Sequence, residues 1–146
     1  MMNARSIRNK ISDFRAIISD GKLDIVCVCE SMMQPDMHDY EVSVANYLMY
    51  RSDRAGRGGG GIIIYVKNSL KVQVLPFSSN TEIEFYTLAI SFKQFKTLFC
   101  MVYRPPQMPI SVYTHAAQLL SSMIDHDIDH KIICGDFNFP KFGTNL

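Results

Sequence analysis

Apolar residues recur at two different periods along this chain, and the switches between them mark out its elements. Ile7, Ile11, Phe14 and Ile18 keep the spacing of one helical face, which predicts a helix over residues 6–20. Ser6 is placed to serve as its N-cap and Gly21 as the residue just past its end. The five residues before it, Met1 to Arg5, offer no strand of their own. Ile25-Val26-Cys27-Val28-Cys29 is a continuous apolar run of strand length, the pattern of a strand covered on both faces. A helix followed by a buried strand predicts a βαβ-like beginning.

Residues 31–46 read as a surface connection, with Gln34-Pro35-Asp36 as a turn signal. Tyr47 to Arg51 is a short strand, and the strongly β-forming Ile62 to Val66 is another. Lys71 to Leu75 is stopped by Pro76. Ile83 to Phe92 and Thr97 to Tyr103 form an antiparallel hairpin across Lys93-Gln94-Phe95-Lys96, and Pro105-Pro106 ends it sharply. A second helix is predicted over 111–125, with Val112, Ala116, Leu119, Leu120 and Met123 on one face. Lys131 to Cys134 then reads as a buried strand that runs into turn chemistry. Mixed parallel and antiparallel strands with two helices give a single domain of the α/β class, without internal repeats or low-complexity linkers.

Composition narrows the function classes. The chain has 146 residues, is 47% hydrophobic and 20% charged, and carries a net charge of +1. That balance is ordinary for a soluble globular domain. It leaves no global electrostatic footprint for nucleic acid, so a basic surface must come from local clustering. Neither an N-terminal signal segment nor an apolar run near the ~18 residues of a membrane span is present. The reading is therefore intracellular, with no membrane partner. Cys27, Cys29, Cys100 and Cys134 all sit in strand-like runs without a Cys-x-x-Cys pair. They read as free core thiols of a reducing compartment, not as a zinc site.

Candidate chemistry gathers at strand ends. Asp136 and Asn138 lie two apart after a strand, so both can face one way from its C-terminal edge, and Gly135 clears a side chain where backbone or ligand must come close. A carboxylate beside an amide suits a hard cation or a phosphate, while an Asx-turn closing the strand explains the same residues. Glu30 ends its own strand in the same manner, and two such acids make a metal site if their strands are sheet neighbours. Tyr103 also stands at a strand end. The glycine run Gly58 to Gly61 leads into a strand and not a helix, which excludes a phosphate-binding or dinucleotide loop and assigns the glycines to a hairpin and a close-packed strand. Arg51, Arg54 and Arg57 are the densest basic cluster, able to touch a phosphate backbone or simply to solvate a loop. The run Asp125 to His130 is read as a solvated loop with no ligand role.

Five motifs now stand in a particular order: Asn3-Ala4-Arg5-Ser6, Glu30-Ser31, Arg57-Gly58-Gly59-Gly60-Gly61 into Ile62-Ile63-Ile64-Tyr65, Tyr103-Arg104-Pro105-Pro106, and Gly135-Asp136-Phe137-Asn138. In this the chain resembles the endonuclease domain of non-LTR (LINE-type) retrotransposons, within the endonuclease/exonuclease/phosphatase superfamily that includes apurinic/apyrimidinic endonucleases. The resemblance covers essentially the whole chain. It implies an α/β (α+β) sandwich of two packed β-sheets flanked by helices, with the site across the sheets' upper edge and this chain supplying about the first half. It implies a Mg²⁺-dependent (or Mn²⁺-dependent) enzyme that nicks DNA through its phosphate backbone, in the nucleus, followed in the full element by a reverse transcriptase domain.

Residue by residue, Glu30 resembles the principal Mg²⁺ ligand and Asn3 the asparagine beside the metal. Asp136 resembles the aspartate that aligns or deprotonates water, Asn138 the asparagine that holds the phosphate and that aspartate, and Tyr103 the tyrosine that reaches the scissile phosphate. Arg104, Arg54 and Arg57 are the expected substrate contacts. The chain departs from the family pattern in Met32-Met33, where Trp-Leu is usual, in a first strand reduced to two methionines, and in lacking the later Ser-Asp-His motif. Two other readings stay open: a non-catalytic remnant or binding fragment, and a phosphatase or phosphodiesterase of the same superfamily. The half-domain reading also predicts an exposed apolar face.

Overall fold

The computed structural model describes residues 1–54, 59–76, 83–106, 108–109, 111, 114, 117–118, 121 and 128–138. Eight strands and one main helix follow the order β1 (Met2–Asn3), α1 (Ile11–Ile18), β2 (Ile25–Cys29), β3 (Tyr47–Ser52), β4 (Ile62–Lys67), β5 (Lys71–Leu75), β6 (Glu84–Phe92), β7 (Phe95–Tyr103) and β8 (His130–Asp136). They form two four-stranded sheets, ordered β1-β2-β4-β3 and β5-β6-β7-β8. The pairs β1–β2 and β7–β8 are parallel, and the others are antiparallel. This is the expected α/β sandwich.

The side-chain alternation of β2 and β4 explains why the sheets stack. Cys27, Cys29, Ile62, Ile64 and Val66 face one way and pack on Leu88, Ile90, Phe99, Met101 and Tyr103 of the second sheet. Val26, Val28, Ile63 and Tyr65 face the other way, onto Ile7, Phe14 and Ile18. Ile62 through Val66 are all 0% exposed. Each such aliphatic side chain contributes roughly 1.5–3 kcal/mol relative to exposure, so β4 is the spine of the domain.

Several expectations need correction. The helical face is as read, but its first turn, Arg8–Lys10, is 3-10, and neither it nor α1 has a side-chain cap, so Ser6 is no N-cap. Met2–Asn3 does form a short strand, because β2 offers its edge for parallel pairing. The connection 31–46 is not merely superficial: Ser31, Met33, Val42 and Val44 are buried. Arg15 of α1 holds this connection by donating to the carbonyls of Ser43 (2.9 Å), Tyr40 and Glu41 (both 3.2 Å), and Tyr65 OH donates to Val42 O at 2.7 Å.

The largest departure is β8. It is a strand, but an edge strand, with Ile132 and Ile133 exposed by 45% and 48%. The four cysteines are free, as expected, although Cys134 is only half-buried. Of the second predicted helix, Ser111, Thr114, Ala117, Gln118 and Ser121 are described, all helical and exposed, and its apolar face lies outside the described residues. Arg57 and residues 125–127 also lie outside them. Among the described residues no helix is long and apolar enough to cross a membrane.

Candidate active site

One rim of the sandwich collects the carboxyl ends of both parallel pairs. β1 ends there in Asn3, β2 runs into Glu30, β7 ends in Tyr103, and β8 ends in Asp136. Glu30 and Asp136 therefore belong to different sheets. They are not sheet neighbours, as the metal-site expectation required, but meet where the two sheets face each other.

Two of the hydrogen bonds that join the sheets lie at this rim. Asn3 Nδ2 donates to Asp136 Oδ2 at 3.0 Å, and Tyr103 OH donates to Glu30 Oε1 at 3.2 Å. Asp136 Oδ1 accepts the amide of Asn138 at 3.2 Å, so both carboxylate oxygens are oriented. The anticipated Asx-turn and the site are thus one and the same arrangement. Burial, followed by the charge of Glu30, pushes the Tyr103 phenol up to about 12. At neutral pH it stays protonated and can only serve as donor or neutral acceptor.

The backbone at these ends is left-handed. Glu30 has φ 51° and Asn138 φ 40°, with Arg5 at 45° and Ser6 at 79° beside Asn3. Such conformations cost non-glycine residues on the order of 1–2 kcal/mol and persist only where neighbours over-determine them. At Glu30 that determination is visible: Ser6 N donates to Glu30 O at 2.9 Å, and Ser31 N donates to Gly61 O at 3.1 Å. A Cβ on Gly61 would lie 2.4 Å from Ser31 Oγ, which is why the glycine run ends against this strand. A Cβ on Gly135 would lie 1.8 Å from Val102 O, so β8 can reach β7 here only as glycine.

Glu84 belongs to the site without having been anticipated. It starts β6, pairs in register with Tyr103, accepts Gly61 N at 2.7 Å and is ion-paired to Arg54 Nε at 2.9 Å. Burial raises its pKa against the opposing effects of Gly61 and Arg54. In sequence it is an ordinary charge at a strand start; only the register opposite Tyr103 reveals it.

The arginines take other places than expected. Arg54 turns to Glu84, Arg51 pairs with Asp39 and Asp53 at 3.1 Å each, and Arg104 is 1% exposed, turned into the protein. A solvent-facing phosphate comb is not what these side chains form.

A hard divalent cation fits the donor set. Glu30 and Asp136 present carboxylate oxygens at one rim, with the Asn3 side-chain amide and the Asn138 backbone amide on Asp136. Mg²⁺ is commonly held by one or two carboxylates together with waters and substrate phosphate.

Comparison with known proteins agrees with this fold. The sequence profile of the endonuclease/exonuclease/phosphatase family matches residues 2–144. No curated protein sequence matches. Among solved structures, the endonuclease domain of TRAS1, a telomere-specific non-LTR retrotransposon, superposes with a TM-score of 0.71 at 17% identity, over 96% of this chain and 59% of that one. The AP endonuclease LMAP from Leishmania major gives 0.69 at 18% identity, over 92% of this chain and 53% of that one. TDP2 from D. rerio, complexed with a single-strand DNA product, gives 0.64 at 14% identity, over 92% and 55%. The chain thus spans little more than half the length of these structures.

Proposed function

The chain belongs to the endonuclease/exonuclease/phosphatase family, and from that premise we propose that its strand-end site serves metal-dependent hydrolysis of DNA phosphodiesters, as a nicking endonuclease of a retrotransposon-derived protein. The observation that carries the proposal is the convergence of Asn3, Glu30, Tyr103 and Asp136 from two sheets, tied by the Asn3–Asp136 and Tyr103–Glu30 hydrogen bonds. The similarity in fold to the TRAS1 endonuclease domain supports the retrotransposon reading.

The roles follow from the chemistry. Glu30, with Asn3 beside it, would hold Mg²⁺ or Mn²⁺, which when bound supplies positive charge for the non-bridging oxygens. Asp136, with both oxygens already oriented, aligns the attacking water and takes its proton. Asn138 carries two N–H donors, of which one goes to Arg104 O at 2.8 Å; the second is available to a phosphate oxygen. Tyr103, kept protonated, is the other donor to the phosphate. Nicking leaves a 3′-hydroxyl, which in a LINE-type element primes the reverse transcriptase that follows. DNA is the proposed partner, and the nucleus the proposed place of action.

A second reading is favoured by one observation. Neither described histidine lies at this rim: His130 begins β8, at the end opposite Asp136, and is tilted against Phe95, while His38 stacks on Tyr40. On this reading the polypeptide binds DNA and does not cut it. Relaxation of supercoiled plasmid, with Mg²⁺ and with EDTA, separates the two. Nicked circles that require Mg²⁺ and vanish in Glu30→Ala and Asp136→Ala support the nuclease; binding with no nicking by the wild-type chain supports the alternative.

A further inference from the structure

Arg104 reads from the sequence as a hand held out to phosphate, and the fold turns it the other way. It follows Tyr103 directly, is 1% exposed, and heads the largest fully buried side chains. Its Nη1 donates to Asn138 O and its Nη2 donates to Met108 O. Its backbone joins in: Arg104 N donates to Asp136 O at 2.9 Å, and Arg104 O accepts Asn138 Nδ2 at 2.8 Å. One residue therefore meets the Asp136–Asn138 turn at three separate points, and the arrangement is reciprocal between Arg104 and Asn138.

We infer that Arg104 is a positioning residue for the Asp136–Asn138 pair and not a contact to DNA. The inference rests on the proposed roles of Asp136 and Asn138. The turn needs such a clamp because Asn138 sits at φ 40°, a conformation that relaxes unless held. Relaxation moves the Asn138 amide off Asp136 Oδ1, and with it the orientation of the carboxylate. β8 itself cannot supply the restraint, since it is an edge strand with an exposed face. A guanidinium suits the task because its planar fork sends donors to two carbonyls at once, whereas a lysine ammonium is a single point.

The test uses Arg104→Lys and Arg104→Met. Misplacing the turn should lower kcat for plasmid nicking about 10- to 100-fold with KM unchanged. The slope of log affinity against log salt for a DNA duplex should also stay as in the wild type. A phosphate contact would instead raise KM and, in Arg104→Met, reduce that slope by about 0.9, and this result, or an unchanged kcat, overturns the inference. Hydrogen exchange gives a readout that needs no activity: the Asn138 side-chain amide and the Arg104 backbone amide should be protected in the wild type and lose protection in Arg104→Lys. An Asn138 amide that exchanges freely in the unaltered chain removes the clamp, whatever the variants do. If Arg104→Met does not fold, Arg104→Lys and the wild-type exchange decide the matter. If the wild type cuts no DNA but the protection pattern is as stated, the clamp stands and the nuclease reading falls.

Discussion

β4 and β8 are written in nearly the same alphabet, Ile62-Ile63-Ile64 in one and Ile132-Ile133-Cys134 in the other, yet they have opposite fates. β4 lies between two strands of its sheet, with α1 on one face and the second sheet on the other, and is 0% exposed from Ile62 to Val66. Among the described residues β8 pairs on one side only, and it leaves Ile132 and Ile133 nearly half exposed, at 45% and 48%. A β-branched run specifies a strand; its neighbours decide whether the strand is core. For the site this means two unequal supports. Glu30 stands at the end of the interior strand β2, while Asn3, Asp136 and Asn138 stand at or just past edge strands and are held by named hydrogen bonds.

The comparison can be attacked at several places. The largest expected effects are chemical. Glu30→Ala and Asp136→Ala should each lower nicking by about 1,000-fold or more, near 4 kcal/mol in the barrier, while circular dichroism and melting stay close to wild type; persistent, metal-dependent nicking by either variant removes the assignment. Next comes packing. Ile64→Ala in β4 should cost about 2–5 kcal/mol in urea unfolding, whereas Ile133→Ala in β8 should change stability by no more than about 0.5 kcal/mol. Equal losses at both positions would mean that β8 is covered in solution.

Gly135→Ala joins the two strands of the argument, because the added Cβ meets Val102 O at 1.8 Å. It should destabilise by roughly 3 kcal/mol and displace Asp136, so that activity falls further than stability alone accounts for. A more modest loss than at Gly135 is expected at Tyr65. Tyr65→Phe leaves the Val42 carbonyl without its 2.7 Å partner, a loss of about 1–3 kcal/mol. Burial raises the Tyr65 pKa. A raised folded pKa means that this group's contribution is complete below the unfolded value of about 10 and is lost as pH climbs towards the folded one. Melting temperature should therefore fall above pH 10 in the wild type and less steeply in Tyr65→Phe.

Much of this architecture was legible before any coordinates. The Ile7-Phe14-Ile18 face, the β2 and β4 runs and the 93–96 hairpin follow from side-chain period, which is a local property. Glu30 and Asp136 were legible because an acid at the end of an apolar run is conspicuous. What escaped the sequence depends on distant pairing. Glu84 matters only through its register with Tyr103, and Arg104 turns inward only because Asn138 and Met108 offer it carbonyls. Ser6 resembled a cap, yet its φ of 79° and its amide bond to Glu30 O serve the strand end instead. Whether Glu30 and Asp136 share a sheet stayed open for the same reason: the sequence orders strands along the chain, not across a sandwich.

The left-handed backbone at Glu30 and Asn138 sets two selections against each other. A mutant library screened only for heat tolerance should drift at both positions towards glycine, which adopts positive φ without cost. A library screened for cutting should keep the glutamate and the asparagine and accept the lower melting point. Sequencing survivors of the two screens would show, position by position, where this chain has traded durability for chemistry.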